Sequence, residues 1–221
     1  MKTSLTILSL ALLFTIGLSA QNKPEREKWL QDAGFGMFIH WSMDVQLGTV
    51  ISHSLVGASE EYADRYINEL PETFNPYHYD PERIAYLARM AGMKYMVFTT
   101  KHHSGFCMWD TETSDFSIMN TPYSKDIVRQ YVDACRKHGL AVGFYFSPED
   151  FHFLYTEDQI IRRRNIEDIP EETKTKYIAL VKAQCSELLS NYGKVDMMFF
   201  DGGGNFLVEP LKAFCWEIQP D

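Results

Sequence analysis

Val195-Asp-Met-Met-Phe-Phe-Asp201-Gly-Gly-Gly204 is a short apolar run that stops abruptly at a carboxylate and three glycines. An apolar run of this length, bounded by turn residues, has the pattern of a strand buried on both faces. About a hundred residues earlier, Tyr95-Met-Val-Phe-Thr-Thr100 has the same character and runs into Lys101-His102-His103. Ionisable side chains at the carboxyl ends of buried strands are where α/β enzymes place their chemistry.

Working outward, two more runs fit the same template: Gly36-Met-Phe-Ile-His40 and Leu140-Ala-Val-Gly-Phe-Tyr-Phe146. Amphipathic helices separate them. The first begins at Asp80-Pro81, with aspartate as cap and proline in the first turn, and stops at Gly92. The second covers about Ile127 to His138 before Gly139, and the third about Glu171 to Tyr192 before Gly193. A fourth is expected from near Val208. Residues 42–78 and 148–170 are expected to be irregular, the latter a polar, charged loop or insertion.

Continuous apolar strands alternating with helices imply an α/β fold with a parallel sheet covered on both faces. The expected architecture is a (β/α)8 TIM-like barrel with only about the first four β/α units present. A complete barrel takes ~250 residues, and this chain has 221, stopping at Gln219-Pro-Asp221 inside a connecting segment. An open doubly wound sheet of four strands is the alternative.

Residues 1–20 stand apart. Lys2, the apolar run Leu5 to Leu18, and Ser19-Ala20 form a charged start, an apolar centre and a small-residue cut site. These are the parts of a secretory signal peptide, and the run is shorter than the ~20 residues a bilayer span needs. The expected organisation is therefore a signal peptide at 1–20 and, at 21–221, the N-terminal half of a catalytic barrel, exported and without a membrane span. Its net charge of −9, from 21 basic and 30 acidic residues, excludes a polyanion-binding protein. Arg162-Arg163-Arg164 sits among Glu157, Asp158, Glu167 and Asp168, the pattern of a solvated face, so no nucleic-acid partner is expected. Cys107, Cys135, Cys185 and Cys215 form no CxxC pair, and most are expected to be buried thiols.

In a barrel the strand ends converge on one face. His40-Trp41, Lys101-His102-His103, Tyr145-Phe146-Ser147 and Asp201 would then line one pocket. Taken singly, a histidine after a strand is ordinarily a hydrogen-bonded core or loop residue, and Asp-Gly is a common turn. Their common placement is what points to a site. No metal is expected, because adjacent His102 and His103 alternate across a strand and no His-x-His or helical His-x-x-x-His pair exists. Sugar chemistry suits the set better. Imidazole and phenol groups pair with hydroxyls, aromatic faces pack on a pyranose, and a central carboxylate can attack the anomeric carbon.

Phe35-Gly-Met-Phe-Ile-His40-Trp41, Lys101-His-His-Ser-Gly-Phe106-Cys-Met-Trp109, Gly143-Phe-Tyr-Phe-Ser147 and Val195-Asp-Met-Met-Phe-Phe-Asp201-Gly resemble the α-L-fucosidases of glycoside hydrolase family 29. The likeness runs from about Glu27 to the end. It implies a retaining exo-glycosidase without a cofactor that releases terminal L-fucose from fucosylated oligosaccharides or glycoconjugates. It also implies a C-terminal β-sandwich in full-length members. By the resemblance Asp201 is the nucleophile, His40, His102 and His103 bind the sugar, and Glu61-Tyr62 matches the family's Glu-Trp pair at the sugar site. Tyr145, or else Phe146, is the sugar-site aromatic of the third strand. Ser42, Ser104 and Phe199 depart from the family's usual Gly, Asp and Trp.

The acid/base carboxyl of the family lies beyond the nucleophile, and Glu209 and Glu217, both in the expected fourth helix, are not assigned to it. The segment alone is expected neither to fold stably nor to turn over substrate. The signal peptide implies export to the periplasm or outside the cell, and the resemblance adds the lysosome for an animal source. A related exo-glycosidase on another sugar such as a β-galactoside, an inactive sugar-binding homologue, and a metal hydrolase are the alternatives.

Overall fold

The computed structural model describes residues 22–49, 52–162 and 169–220. The expected signal peptide and two residues of the arginine run, Arg163 and Arg164, lie outside them.

Four parallel strands form one sheet in the order β1-β2-β3-β4: β1 (Gly36–Ile39), β2 (Tyr95–Lys101), β3 (Ala141–Phe146) and β4 (Met197–Phe200). Among the described residues seven α-helices accompany them: α1 (Pro24–Ala33), α2 (Glu60–Asn68), α3 (Pro81–Met90), α4 (Ile127–Lys137), α5 (Phe151–Thr156), α6 (Glu171–Asn191) and α7 (Gly204–Ile218). None of the described helices is long and apolar enough to cross a membrane.

The helices between strands form for the reasons visible in the sequence. The Asp80 and Asp126 carboxylates accept the Arg83 and Arg129 backbone N–H groups at 2.9 and 2.7 Å, closing the first turns of α3 and α4. On α4, Val128, Tyr131, Val132 and Cys135 are buried at helical spacing, and on α6 so are Tyr177, Val181, Cys185 and Leu188. The Tyr131 hydroxyl reaches the carbonyls of Met96 and Gly143 at 2.6 and 3.0 Å, pinning α4 against β2 and β3.

Three expectations are corrected. Residues 42–78 contain α2 and several 3-10 turns, because Ser59 caps Tyr62 N–H and Ala63, Tyr66 and Ile67 bury one face. The 148–170 loop contains α5, capped by Asp150 on Phe153 N–H at 2.8 Å. The last helix starts at Gly204, four residues earlier than Val208, because the glycine run hides its first turn from a periodicity reading.

The sheet is strongly concave on one side. Phe38 of β1 and Phe199 of β4 lie three strand spacings apart, about 14 Å in a flat sheet, yet their rings meet edge to face with centroids 5.4 Å apart. Tyr145 of β3 closes the trio at 5.8 Å from each. The opposite face, with Phe98, Phe144 and Phe146, is buried under the helices.

Candidate active site

At the carboxyl end of β2 the pairing with β3 slips. Thr99 pairs with Tyr145, but Lys101 pairs with Phe146, so Thr100 is bulged out and its hydroxyl donates to the Tyr145 carbonyl at 2.8 Å. The slip turns Lys101 toward the helices. There its ammonium is fully buried and pairs with Asp150 at 2.7 Å and the Gln184 side-chain carbonyl at 2.8 Å. His102 falls on the concave side, stacked on Tyr145 with centroids 5.5 Å apart and planes 6° from parallel.

The strand stops at Lys101, and a turn closed by Gly105 N–H on the His102 carbonyl follows. Strand alternation therefore does not govern His102 and His103, which corrects the sequence argument against their sharing a face. Both imidazoles reach the same space: His102, His103 and Asp201 each bring one ligand atom within 4.8 Å of the others.

Asp201 follows β4 directly, its backbone N–H donating to the Phe146 carbonyl at 3.2 Å. One carboxylate oxygen accepts the Tyr145 hydroxyl at 2.6 Å and lies 3.8 Å from His103 Nε2. The side chain is 39% exposed, open to an incoming ring. His40 sits 4.8 Å from His102 and 5.0 Å from Tyr145, ring to ring. Phe199 stacks on Tyr145 at 5.8 Å and 16°. An aromatic wall is thus present where the family's usual tryptophan is not.

A layer behind holds the site. Ser147 donates to the Glu149 carbonyl at 2.9 Å, so its one proton is committed and His103 Nδ1, 2.5 Å away, must donate to it. The His103 ring then turns its Nε2 toward Asp201, 3.8 Å away. The buried Glu149 carboxylate accepts the Gly203 N–H at 3.1 Å through one oxygen, while the other lies 3.8 Å from His103 Nδ1. Gly202 has φ +81°, and a Cβ there would come within 2.8 Å of the Glu149 carboxylate, so only glycine carries the chain away from Asp201. On the far side the Ser52 hydroxyl touches His102 Nδ1 at 2.5 Å.

Burial lowers the His40 pKa, with the Asp201 charge opposing and His53 assisting. His40 is therefore neutral at pH 7, able to donate from one nitrogen and accept on the other. Asp44, completely buried below Ser52, is pushed up to about 6 by burial, against the pull of the Asp44 and Ser52 backbone N–H groups and the Ser42 hydroxyl. Neither carboxylate oxygen has a hydrogen bond of full geometry among the described residues.

The structure brings together His40, His102, His103, Tyr145 and Asp201. At the third strand it is Tyr145, not Phe146, that reaches Asp201. Glu61 and Tyr62 are elsewhere: both are exposed on α2, Glu61 makes no hydrogen bond or ion pair among the described residues, and Tyr62 rests on Tyr66 with centroids 6.3 Å apart. Ser147 lies at the site as the strand-end reading expected, while sequence reasoning missed Ser52, His53 and Glu149. Of these only Glu149 had an available signal, its place just after an apolar strand. All four cysteines are buried free thiols.

A model of the alpha-L-fucosidase family matches residues 14–209. The chain belongs to the alpha-L-fucosidase family. Among solved fucosidases it is similar to isoenzyme 1 from Paenibacillus thiaminolyticus, at 37% identity and TM-score 0.73, covering 89% of this chain and 48% of that one. It is also similar to a fucosidase of Bacteroides thetaiotaomicron solved as a trapped covalent intermediate with 2-fluoro-fucosyl fluoride. That likeness has 26% identity and TM-score 0.72, over 90% of this chain and 48% of the other. Alpha-L-fucosidase 1 of Arabidopsis thaliana is 29% identical over 135 residues, 60% of this chain and 24% of the plant protein. The chain thus spans about a quarter of that plant fucosidase and about half of the two solved ones.

Proposed function

We propose that this chain carries the nucleophile and the sugar-binding wall of a retaining α-L-fucosidase, exported to the periplasm or the extracellular space and acting on terminal fucose of oligosaccharides or glycoconjugates. The observation that carries the reading is Asp201, held by the Tyr145 hydroxyl at 2.6 Å and facing three histidines. Asp201 attacks the anomeric carbon as the leaving oxygen takes a proton from an acid. The C–O bond to the aglycone breaks and a glycosyl ester forms; water then hydrolyses the ester and frees the carboxylate. Tyr145 fixes the attacking oxygen, while His40 and His103 pair with ring hydroxyls. The trapped covalent intermediate of the Bacteroides thetaiotaomicron relative supports the two-step course.

A retaining enzyme needs its second carboxyl ~5 Å from the nucleophile. Glu149 is buried behind His103, Glu209 pairs with Lys212 along α7, and Glu217 is exposed on that helix, so the acid is assigned to none of them. The curvature that lets Phe38 meet Phe199 supports a closed (β/α)8 barrel, of which β1 to β4 are the first half.

The test is hydrolysis of an aryl α-L-fucoside and an aryl β-galactoside by the protein expressed from its complete coding sequence, wild type and Asp201→Ala. Fucoside turnover is expected, with kcat reduced at least about a thousandfold in the variant. Galactoside turnover alone would move the substrate, and fucose binding without turnover would leave a lectin-like homologue. The proximity of His102, His103 and Asp201 favours one other reading, a metal hydrolase. Full activity after exhaustive chelation removes it.

A further inference from the structure

We propose that His53 is a fourth sugar-contacting imidazole of this pocket, donating to or accepting from one ring hydroxyl of the fucoside and so helping to set which hydroxyl pattern is accepted. The proposal rests on the fucosidase reading above.

His53 begins the 3-10 turn His53–Leu55, anchored by fully buried Leu55. Its ring lies parallel to His103, with centroids 5.9 Å apart and planes 15° from each other, and 6.0 Å from His102. His40, His102, His103 and His53 therefore form a continuous run of imidazoles, with successive centroids at 4.8, 4.3 and 5.9 Å.

What separates His53 from its neighbours is its free hydrogen-bonding capacity. His102 and His103 each commit Nδ1 to a serine hydroxyl, whereas among the described residues neither nitrogen of His53 has a hydrogen-bond partner. The ring is half-buried at the pocket rim, so both nitrogens remain available to a ligand.

The turn that presents it is also strained. Ser52 has φ +46°, a left-handed conformation that disfavours a side chain, and it is retained while its hydroxyl meets His102 Nδ1 at 2.5 Å. One residue thus orients His102 directly and His53 through the backbone. A partly buried imidazole with two unspent nitrogens, stacked on the His103 ring that itself approaches Asp201 at 3.8 Å, suits a sugar hydroxyl, which needs one acceptor and one donor. Glu61, which the resemblance assigned to the sugar site, is exposed on α2.

The test compares wild type, His53→Ala and His53→Gln on an aryl α-L-fucoside and its 2-, 3- and 4-deoxy analogues, using the protein from its complete coding sequence. His53→Ala is expected to lower kcat/KM on the parent glycoside about 10- to 100-fold, the size of one lost hydrogen bond to a substrate hydroxyl. On the one analogue lacking the paired hydroxyl, the two proteins should differ by less than about threefold, and His53→Gln should recover part of the loss on the parent. Equal losses on every analogue, or no loss on the parent, would overturn the proposal, since a structural role cannot distinguish hydroxyls. A wild-type protein inert toward all fucosides would overturn the fucosidase reading, and the proposal with it.

Discussion

Tyr145 does two things at once. Its phenol donates to the Asp201 carboxylate at 2.6 Å, while the ring face supports His102 on one side and Phe199 on the other. Asp44 acts at a greater remove, beneath the serine that touches His102. Its folded-state pKa of about 6 stands above the ordinary 3.8 because burial disfavours the charge. A raised folded value means the stabilising contribution is fully present below about pH 3.8 and is lost as pH rises through about 6. At neutral pH the buried carboxylate therefore costs on the order of 3 kcal/mol. Asp44→Asn removes that titration while keeping the shape. Thermal melts from pH 4 to pH 8 should show the variant gaining on wild type as pH rises, and parallel curves would refute the account.

Among the elements, β2 does the most to build the site, and it does so by a fault in its pairing. The bulge at Thr100 sends Lys101 to Asp150 and Gln184 on the helix side and leaves His102 in the pocket. Removing one partner of such a pair strands a buried charge and costs about 3–5 kcal/mol. Lys101→Met should lower stability by that amount in denaturant titration; a change under about 1 kcal/mol would show that the pair holds little. The strands and the helices between them were legible because apolar periodicity and Asp caps announce them. Helices α2 and α5 were not, since each is short and its burial depends on neighbours far along the chain. The bulge was equally hidden: nothing in Tyr95-Met-Val-Phe-Thr-Thr-Lys101 distinguishes a slipped register from a regular one. Alternation put His102 and His103 on opposite faces because it was carried past Lys101, where the strand ends in a turn. Asp201, Tyr145 and the three histidines His40, His102 and His103 could be found from the ends of strands. His53 could not, because it reaches the pocket from a turn with no periodic signal.

For the whole molecule, the decisive property is a sheet curled around its own aromatic side chains. Phe38 and Phe199 remain 46% and 45% exposed on the concave face, and β1 and β4 each have one unpaired edge among the described residues. An open apolar face between two free edges favours association and loose packing. Residues 22–220 expressed alone should therefore melt broadly and bind a hydrophobic dye. A sharp, cooperative transition without dye binding would refute this. The same contact has a consequence for the range of ligands. No backbone ladder joins β1 to β4, so among the described residues the meeting of two rings is what spans the concave face. Exchanging those side chains would reshape the floor near Asp201 while leaving every described strand pairing in register.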